Sequence, residues 1–135
     1  MSDEADGKVR IDSEGDIVVA RKLVRTQAMG LGFGVTDVTR IVTAASELTR
    51  NVFRHAGSGA MYCRRLNSGN HIGLELIFED QGPGIPDIDQ AMEAGFTTAG
   101  GLGLGLPGAK RLMDEMEIQS EVGRGTTVTV KKWLR

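Results

Sequence analysis

The chain has 135 residues with 40% hydrophobic and 25% charged side chains, enough for one domain around one core. Its net charge of -2 and pI near 5.7 argue against a nucleic-acid or anionic-membrane footprint, and no apolar run approaches a membrane span. The single cysteine, Cys63, excludes an internal disulfide and suits a reducing cytoplasm; the acidic opening segment has no apolar signal core, so export is not expected.

Residues 1–7 read as a disordered acidic tail before a single domain over 8–135. Val9 and Ile11 alternate with charged neighbours, as in a short edge strand. From Asp16, apolar residues recur at Ile17, Ala20, Val24, Ala28 and Leu31, which predicts a helix ended by Gly30, Gly32 and Gly34. A second helix, capped by Thr36 or Asp37, runs to about His55 with Val38, Ile41, Val42, Ala45, Leu48 and Val52 as its stripe. Ala60 to Leu66 and Ile72 to Glu79 form a hairpin across Asn67-Ser68-Gly69-Asn70. A glycine–proline turn from Asp80 to Pro86, a short helix over Ile88 to Ala94 and a glycine-rich loop over Gly95 to Gly105 follow. A helix over Leu104 to Glu115 then leads into two strands, around Glu117–Glu121 and Thr126–Trp133. Strands joined by short turns must be antiparallel. The order therefore predicts an α+β two-layer sandwich: a mixed, largely antiparallel sheet with helices on one face.

Four segments carry chemistry. On the second helix, Glu47, Asn51, Arg54 and His55 share one side, and Glu47 lies roughly 140° from the centre of the apolar stripe. This is either a solvated polar face or the floor of a cleft. An Asn oxygen is a hard ligand suited to Mg²⁺, and a carboxylate one turn earlier could orient a hydroxyl or water. In Asp80-Gln81-Gly82-Pro83-Gly84-Ile85-Pro86, Gly82 and Gly84 permit close backbone approach, and Asp80 can accept from an exocyclic amine such as that of adenine. The alternative there is a tight turn with Asp80 as its own Asx cap. The run Gly100-Gly101-Leu102-Gly103-Leu104-Gly105 opens a helix and offers amides to an anion. Gly103, Gly105 and Gly108 spell a dinucleotide fingerprint, but no strand precedes them, so that reading fails. Neither an H-R-D loop nor a D-F-G triplet is present. Last, Gly123-Arg124-Gly125-Thr126-Thr127 is a hairpin turn that could bring a hydroxyl near Asp80.

In this order and spacing, the four segments resemble the GHKL ATPase and kinase superfamily, from about residue 36 to the end. Glu47…Asn51 looks like its N box, Asp80 to Gly84 and Gly101 to Gly105 like its two glycine boxes, and Gly125-Thr126 like its final Gly-Thr element. The resemblance implies the GHKL (Bergerat) fold, with ATP under a mobile lid at roughly 95–105. It assigns Asn51 to Mg²⁺, Asp80 to the adenine amine and Thr126 to the adenine site. Gly82 and Gly84 would line the nucleotide, and Gly101, Gly103 and Gly105 the phosphates. His55 and, more loosely, Arg54 would sit on the phosphate side. Transfer to a hydroxyl benefits from a proton acceptor whereas transfer to imidazole does not, so Glu47 favours a serine/threonine kinase or ATPase over a histidine kinase.

More closely, Asp16-Ile17-Val18, Leu31-Gly32-Phe33-Gly34, Asp80 to Asp87, Gly105-Leu106-Pro107-Gly108, Lys110 to Asp114 and Lys132-Trp133-Leu134-Arg135 are similar to the stressosome switch kinases of the bacterial general stress response. That likeness implies a cytoplasmic kinase that phosphorylates STAS-domain scaffold proteins and, once released, activates a PP2C-type phosphatase, with no nucleic-acid or membrane partner. Anti-sigma factor kinases, which bind a sigma factor and phosphorylate a STAS-domain antagonist, share the same boxes. A non-catalytic, ATP-gated binding module is the competing class. Cys63, Met113 and Met116 read as packing residues, His71 has no metal-ligand companions, and Trp133 is expected in the core, with a partner-binding surface as the alternative.

Overall fold

The computed structural model describes residues 7–92 and 105–135. The elements in chain order are β1 (Gly7–Ile11), α1 (Asp16–Leu31), α2 (Val35–Ala56), β2 (Gly59–Ser68) and β3 (His71–Asp80). There follow α3 (Ile88–Ala91), α4 (Gly105–Leu112), β4 (Glu115–Glu121) and β5 (Gly125–Trp133). The expected tail up to residue 6 and the expected lid before Gly105, including Gly101 and Gly103, lie outside the described residues, as do residues 93 and 94 of the short helix.

The strands form one sheet in the order β1-β2-β3-β5-β4, and every pairing among the described residues is antiparallel. The alternation of each strand sends one set of side chains inward. Register then aligns them in rows across the sheet: Val9, Met61, Phe78, Val128 and Ile118 in one, Cys63, Leu76, Val130 and Met116 in the next. The helices cover this face. Ala20, Val24 and Ala28 of α1 and Ile41, Ala45, Leu48 and Val52 of α2 complete a single core with it, joined by Ala109 and Met113 at the end of α4. Burial of this apolar surface is the main term holding the two layers together.

Several boundaries differ from the sequence expectation for identifiable reasons. Neither Thr36 nor Asp37 caps α2: Gly34 is the N-cap without a side-chain bond, and Asp37 sits in the first turn, 2.9 Å from Arg40 and 3.7 Å from Lys132. The hairpin loop shrinks to two residues because Ser68 already pairs with His71, with Gly69 at a φ of 63°. The last helix stops at Leu112 rather than Glu115, because Lys132 Nζ donates to the Leu112 carbonyl and Asp114 turns to accept the Trp133 amide. Trp133 is not in the core. Thr126, Val128, Val130 and Lys132 are the inward residues of β5, so parity sends Trp133 to the outer face, where its ring meets His71 edge-on and its indole N–H donates to Glu115. Cys63 and Met113 are buried as expected, and Met116 packs against the core.

Candidate active site

A cavity of about 290 Å³ opens between α2 and the inner face of β3 and β5, close to the lower end of small-ligand pocket sizes. Leu48, Val52, Phe78, Ile85, Leu106 and Val128 supply its apolar walls. Its polar groups come from separate elements: Glu47, Asn51, Arg54 and His55 from α2, Asp80 from the end of β3, and Thr126 from β5. Gly84, Gly105 and Pro107 also line it. Of the eleven sequence-predicted site residues, this one cavity gathers eight; Gly82 is not on its wall, and Gly101 and Gly103 lie outside the described residues.

The α2 contribution follows from helical geometry. Glu47 and Asn51 are one turn apart, and their neighbours Leu48, Thr49 and Val52 are buried, so the cavity-facing stripe is carried on a helix anchored by the core. Glu47 is not alone: Arg50 Nη1 lies 2.8 Å from Glu47 Oε2, with both side chains largely shielded from solvent. The signal for Arg50 in the sequence is its three-residue spacing from Glu47, which the catalytic motif does not include. No hydrogen bond among the described residues engages the Asn51 carboxamide, and a Cβ placed on Gly105 would come 3.9 Å from Asn51 Nδ2, so the start of α4 lies beside it. No cluster of three or more His, Cys, Asp or Glu able to hold a metal occurs among the described residues. Asn51 itself offers one amide oxygen, a hard donor of the kind Mg²⁺ takes alongside oxygens of a ligand and water.

At the sheet end, register makes Asp80, Thr126 and Ser120 one row. Asp80 Oδ1 accepts from the amides of Gly82 at 2.9 Å and Thr126 at 3.2 Å, and neither bond uses Oδ2. The Asx turn and the acceptor role are thus compatible: one oxygen closes the turn, the other remains for a ligand donor. Ser120 Oγ lies 2.8 Å from Thr126 Oγ1, close to the Gly125 carbonyl, and accepts from the Ile85 amide at 2.7 Å. This hydroxyl ties the glycine–proline turn to the β4–β5 hairpin, and nothing local in the sequence signals it. The glycines here answer to packing. A Cβ on Gly82 would meet Ala56, and Gly84, at a φ of 82°, has the Glu121 carbonyl where a Cβ would sit. Gly125, at a φ of 131°, has the Asp80 carbonyl in that position.

The chain matches the family described as histidine kinase-, DNA gyrase B-, and HSP90-like ATPase over residues 36–135. It is 54% identical over 127 residues to serine/threonine-protein kinase RsbT of Bacillus subtilis (strain 168), covering 94% of this chain and 96% of that protein. It is 35% identical over 121 residues to the anti-sigma F factor of Thermoanaerobacter sp. (strain X514), covering 85% of this chain and 83% of that one. Among solved structures, the RsbU and RsbW domains of a Mycobacterium tuberculosis protein superpose with a TM-score of 0.62 at 18% identity, over 96% of this chain and 33% of that one. At that identity the superposition speaks to the fold alone.

Proposed function

The chain belongs to the histidine kinase-, DNA gyrase B- and HSP90-like ATPase family and, within it, to the serine/threonine-protein kinases, and from this we propose that the α2–β3–β5 cavity is the ATP site of a partner-switching kinase acting on STAS-domain proteins. The observation that carries the proposal is the placement of Glu47 and Asn51, one helical turn apart, on the wall of the cavity that Asp80 and Thr126 close from the sheet.

In this reading the adenine lies between the apolar walls with its exocyclic amine donating to Asp80 Oδ2, while Thr126 backs the same end. Asn51, with phosphate oxygens and water, would hold Mg²⁺, which would neutralise charge on the phosphates. Arg54 and His55 face the phosphates from the same helix, and Gly105 contributes amides from the start of α4. The substrate serine or threonine oxygen attacks the γ-phosphorus, the bond to the ADP oxygen breaks, and the hydroxyl proton passes to Glu47. Because such transition states are loose, most of the rate comes from positioning and charge neutralisation, with Glu47 taking the proton late. The kinase domain spans residues 8–135 and works in the cytoplasm. Its substrates are stressosome scaffold proteins, and phosphorylation releases it to bind and activate a PP2C-type phosphatase.

The 35% identity to an anti-sigma F factor supports a second reading, in which the partner is a sigma factor and the substrate a STAS-domain antagonist. The greater identity to a serine/threonine-protein kinase named without a sigma factor favours the first. The test is transfer of labelled γ-phosphate from ATP, with and without Mg²⁺, to a STAS-domain protein of the same organism, followed by mapping of the labelled residue. Label on serine or threonine that is lost with Glu47→Ala, while ADP affinity is kept, supports the kinase mechanism. Tight ATP binding with no transfer would replace it with a nucleotide-gated binding module.

A further inference from the structure

We propose that Arg50 is the positioning residue of the phosphotransfer base, an inference that rests on the reading of Glu47 given above. Three observations carry it. Arg50 meets Glu47 end-on, through Nη1 to Oε2 at 2.8 Å, so Oε1 is left for the incoming hydroxyl. The pair sits on α2, whose core side is anchored by the buried residues Ser46, Leu48 and Thr49 around it, so the helix that carries both groups is held by the core. Finally, Glu47 lines the cavity and Arg50 does not. The guanidinium therefore acts through the carboxylate and leaves the nucleotide to other groups.

The physical need is specific. A lone glutamate on a helix samples several rotamers, and a bare carboxylate beside a triphosphate is pushed away from it by like charge. A guanidinium behind Oε2 removes both problems at once. It fixes the carboxylate plane and offsets the repulsion from the γ-phosphate, while the proton-accepting oxygen stays open. A base displaced by about 1 Å can lose roughly 100-fold in rate, so a group that only holds another can carry a large kinetic effect.

The experiment is a double-mutant cycle on the full chain, using single-turnover transfer to the STAS-domain protein and calorimetric ADP binding. Arg50→Met keeps the aliphatic stem and removes the charge. The expected result is a fall in the transfer rate constant of about 10- to 100-fold, with ADP affinity and the substrate KM near wild type. Arg50→Lys should recover part of that loss, because an ammonium restores charge without the fork geometry. In a Glu47→Ala background, Arg50→Met should cost almost nothing more. Equal losses from Arg50→Met with and without Glu47 would assign it an independent role and overturn the proposal. So would a variant that loses ADP binding in step with transfer, or one that transfers at the wild-type rate while Glu47→Ala is slow. If Glu47→Ala itself transfers at the wild-type rate, the base assignment falls, and Arg50's role falls with it.

Discussion

Thr126 sits directly across the sheet from Asp80, and its amide donates a 3.2 Å hydrogen bond to Asp80 Oδ1. The pair makes the end wall of the cavity a backbone-registered feature, so Asp80 cannot turn away from the site without breaking a cross-strand contact. Oδ1 is committed to two amides, which leaves Oδ2 as the atom that the proposed function assigns to the ligand donor. Asp80→Asn can keep the turn through its amide oxygen but presents an NH₂ where the acceptor was. Nucleotide affinity should fall by about 2 kcal/mol, roughly 30-fold, with the melting temperature nearly unchanged. Calorimetry with ADP reads this directly, and unaltered affinity would remove Asp80 from the recognition of the base.

The two glycines of the β4–β5 turn make a matched pair of variants. Gly123 has a φ of 85° with open space around its missing Cβ, whereas Gly125, at 131°, is pressed against the Asp80 carbonyl. Gly123→Ala should cost only the strain of a left-handed residue, about 1 kcal/mol. Gly125→Ala adds a steric clash and should cost about 2–4 kcal/mol, as well as weakening nucleotide binding by displacing Asp80. Urea unfolding of both variants checks the ranking; equal destabilisation would mean that the contact with Asp80 relaxes freely.

Much of this arrangement can be read before folding, because it is written in local patterns. The stripe from Val38 to Val52 fixes which face of α2 is buried, and so places Glu47 and Asn51 off that stripe, on the side that lines the cavity. The glycine–proline run after β3 marks the turn that holds Asp80. What could not be read depends on pairing between distant strands. Ser120 meets Thr126 across the local β4–β5 hairpin, but it reaches Ile85 only because β5 pairs with β3 and carries β4 to the sheet edge beside it. Lys132 is buried because β5 parity points it inward, where it finds Leu112 and two aspartates. The misplacement of Trp133 has a different, local origin. Its aromatic character suggested the core, while the valines at 128 and 130 already fixed its parity to the outer face.

Asn51 gives a prediction about metal dependence. Its carboxamide lines the cavity beside the start of α4, and the proposed function assigns its oxygen to Mg²⁺. Mg²⁺ should tighten ATP binding to the wild-type chain, and EDTA should abolish that gain. Asn51→Ala should remove most of the Mg²⁺-dependent gain while leaving metal-free binding close to wild type. If the variant retained the full Mg²⁺ response, the metal would have to be held by phosphates and water alone.

Asp114 should make stability depend on acid pH. It lies where α4 gives way to β4, 16% exposed, and accepts from the Trp133 amide at 2.7 Å and from Arg135 at 2.6 Å, with Lys132 at 3.7 Å. Burial pushes its carboxyl up, but the Trp133 amide and the charges of Lys132 and Arg135 outweigh that and hold it below its ordinary 3.8. A group whose folded value is depressed adds stability that is fully present above its unfolded value and is lost as the pH falls through the folded one. Lowering the pH from about 5 through 3.8 and below should therefore unload this latch and free the end of β5 from α4. Asp114→Asn keeps acceptor capacity for the Trp133 amide but cannot titrate. It should be less stable than wild type at neutral pH, by about 1–2 kcal/mol, and its stability should decline less steeply below pH 4. Urea midpoints measured from pH 7 to pH 3 for both chains decide the matter. Parallel curves would assign the acid sensitivity to other carboxylates, and a steeper curve for the variant would reverse the sign argued for Asp114.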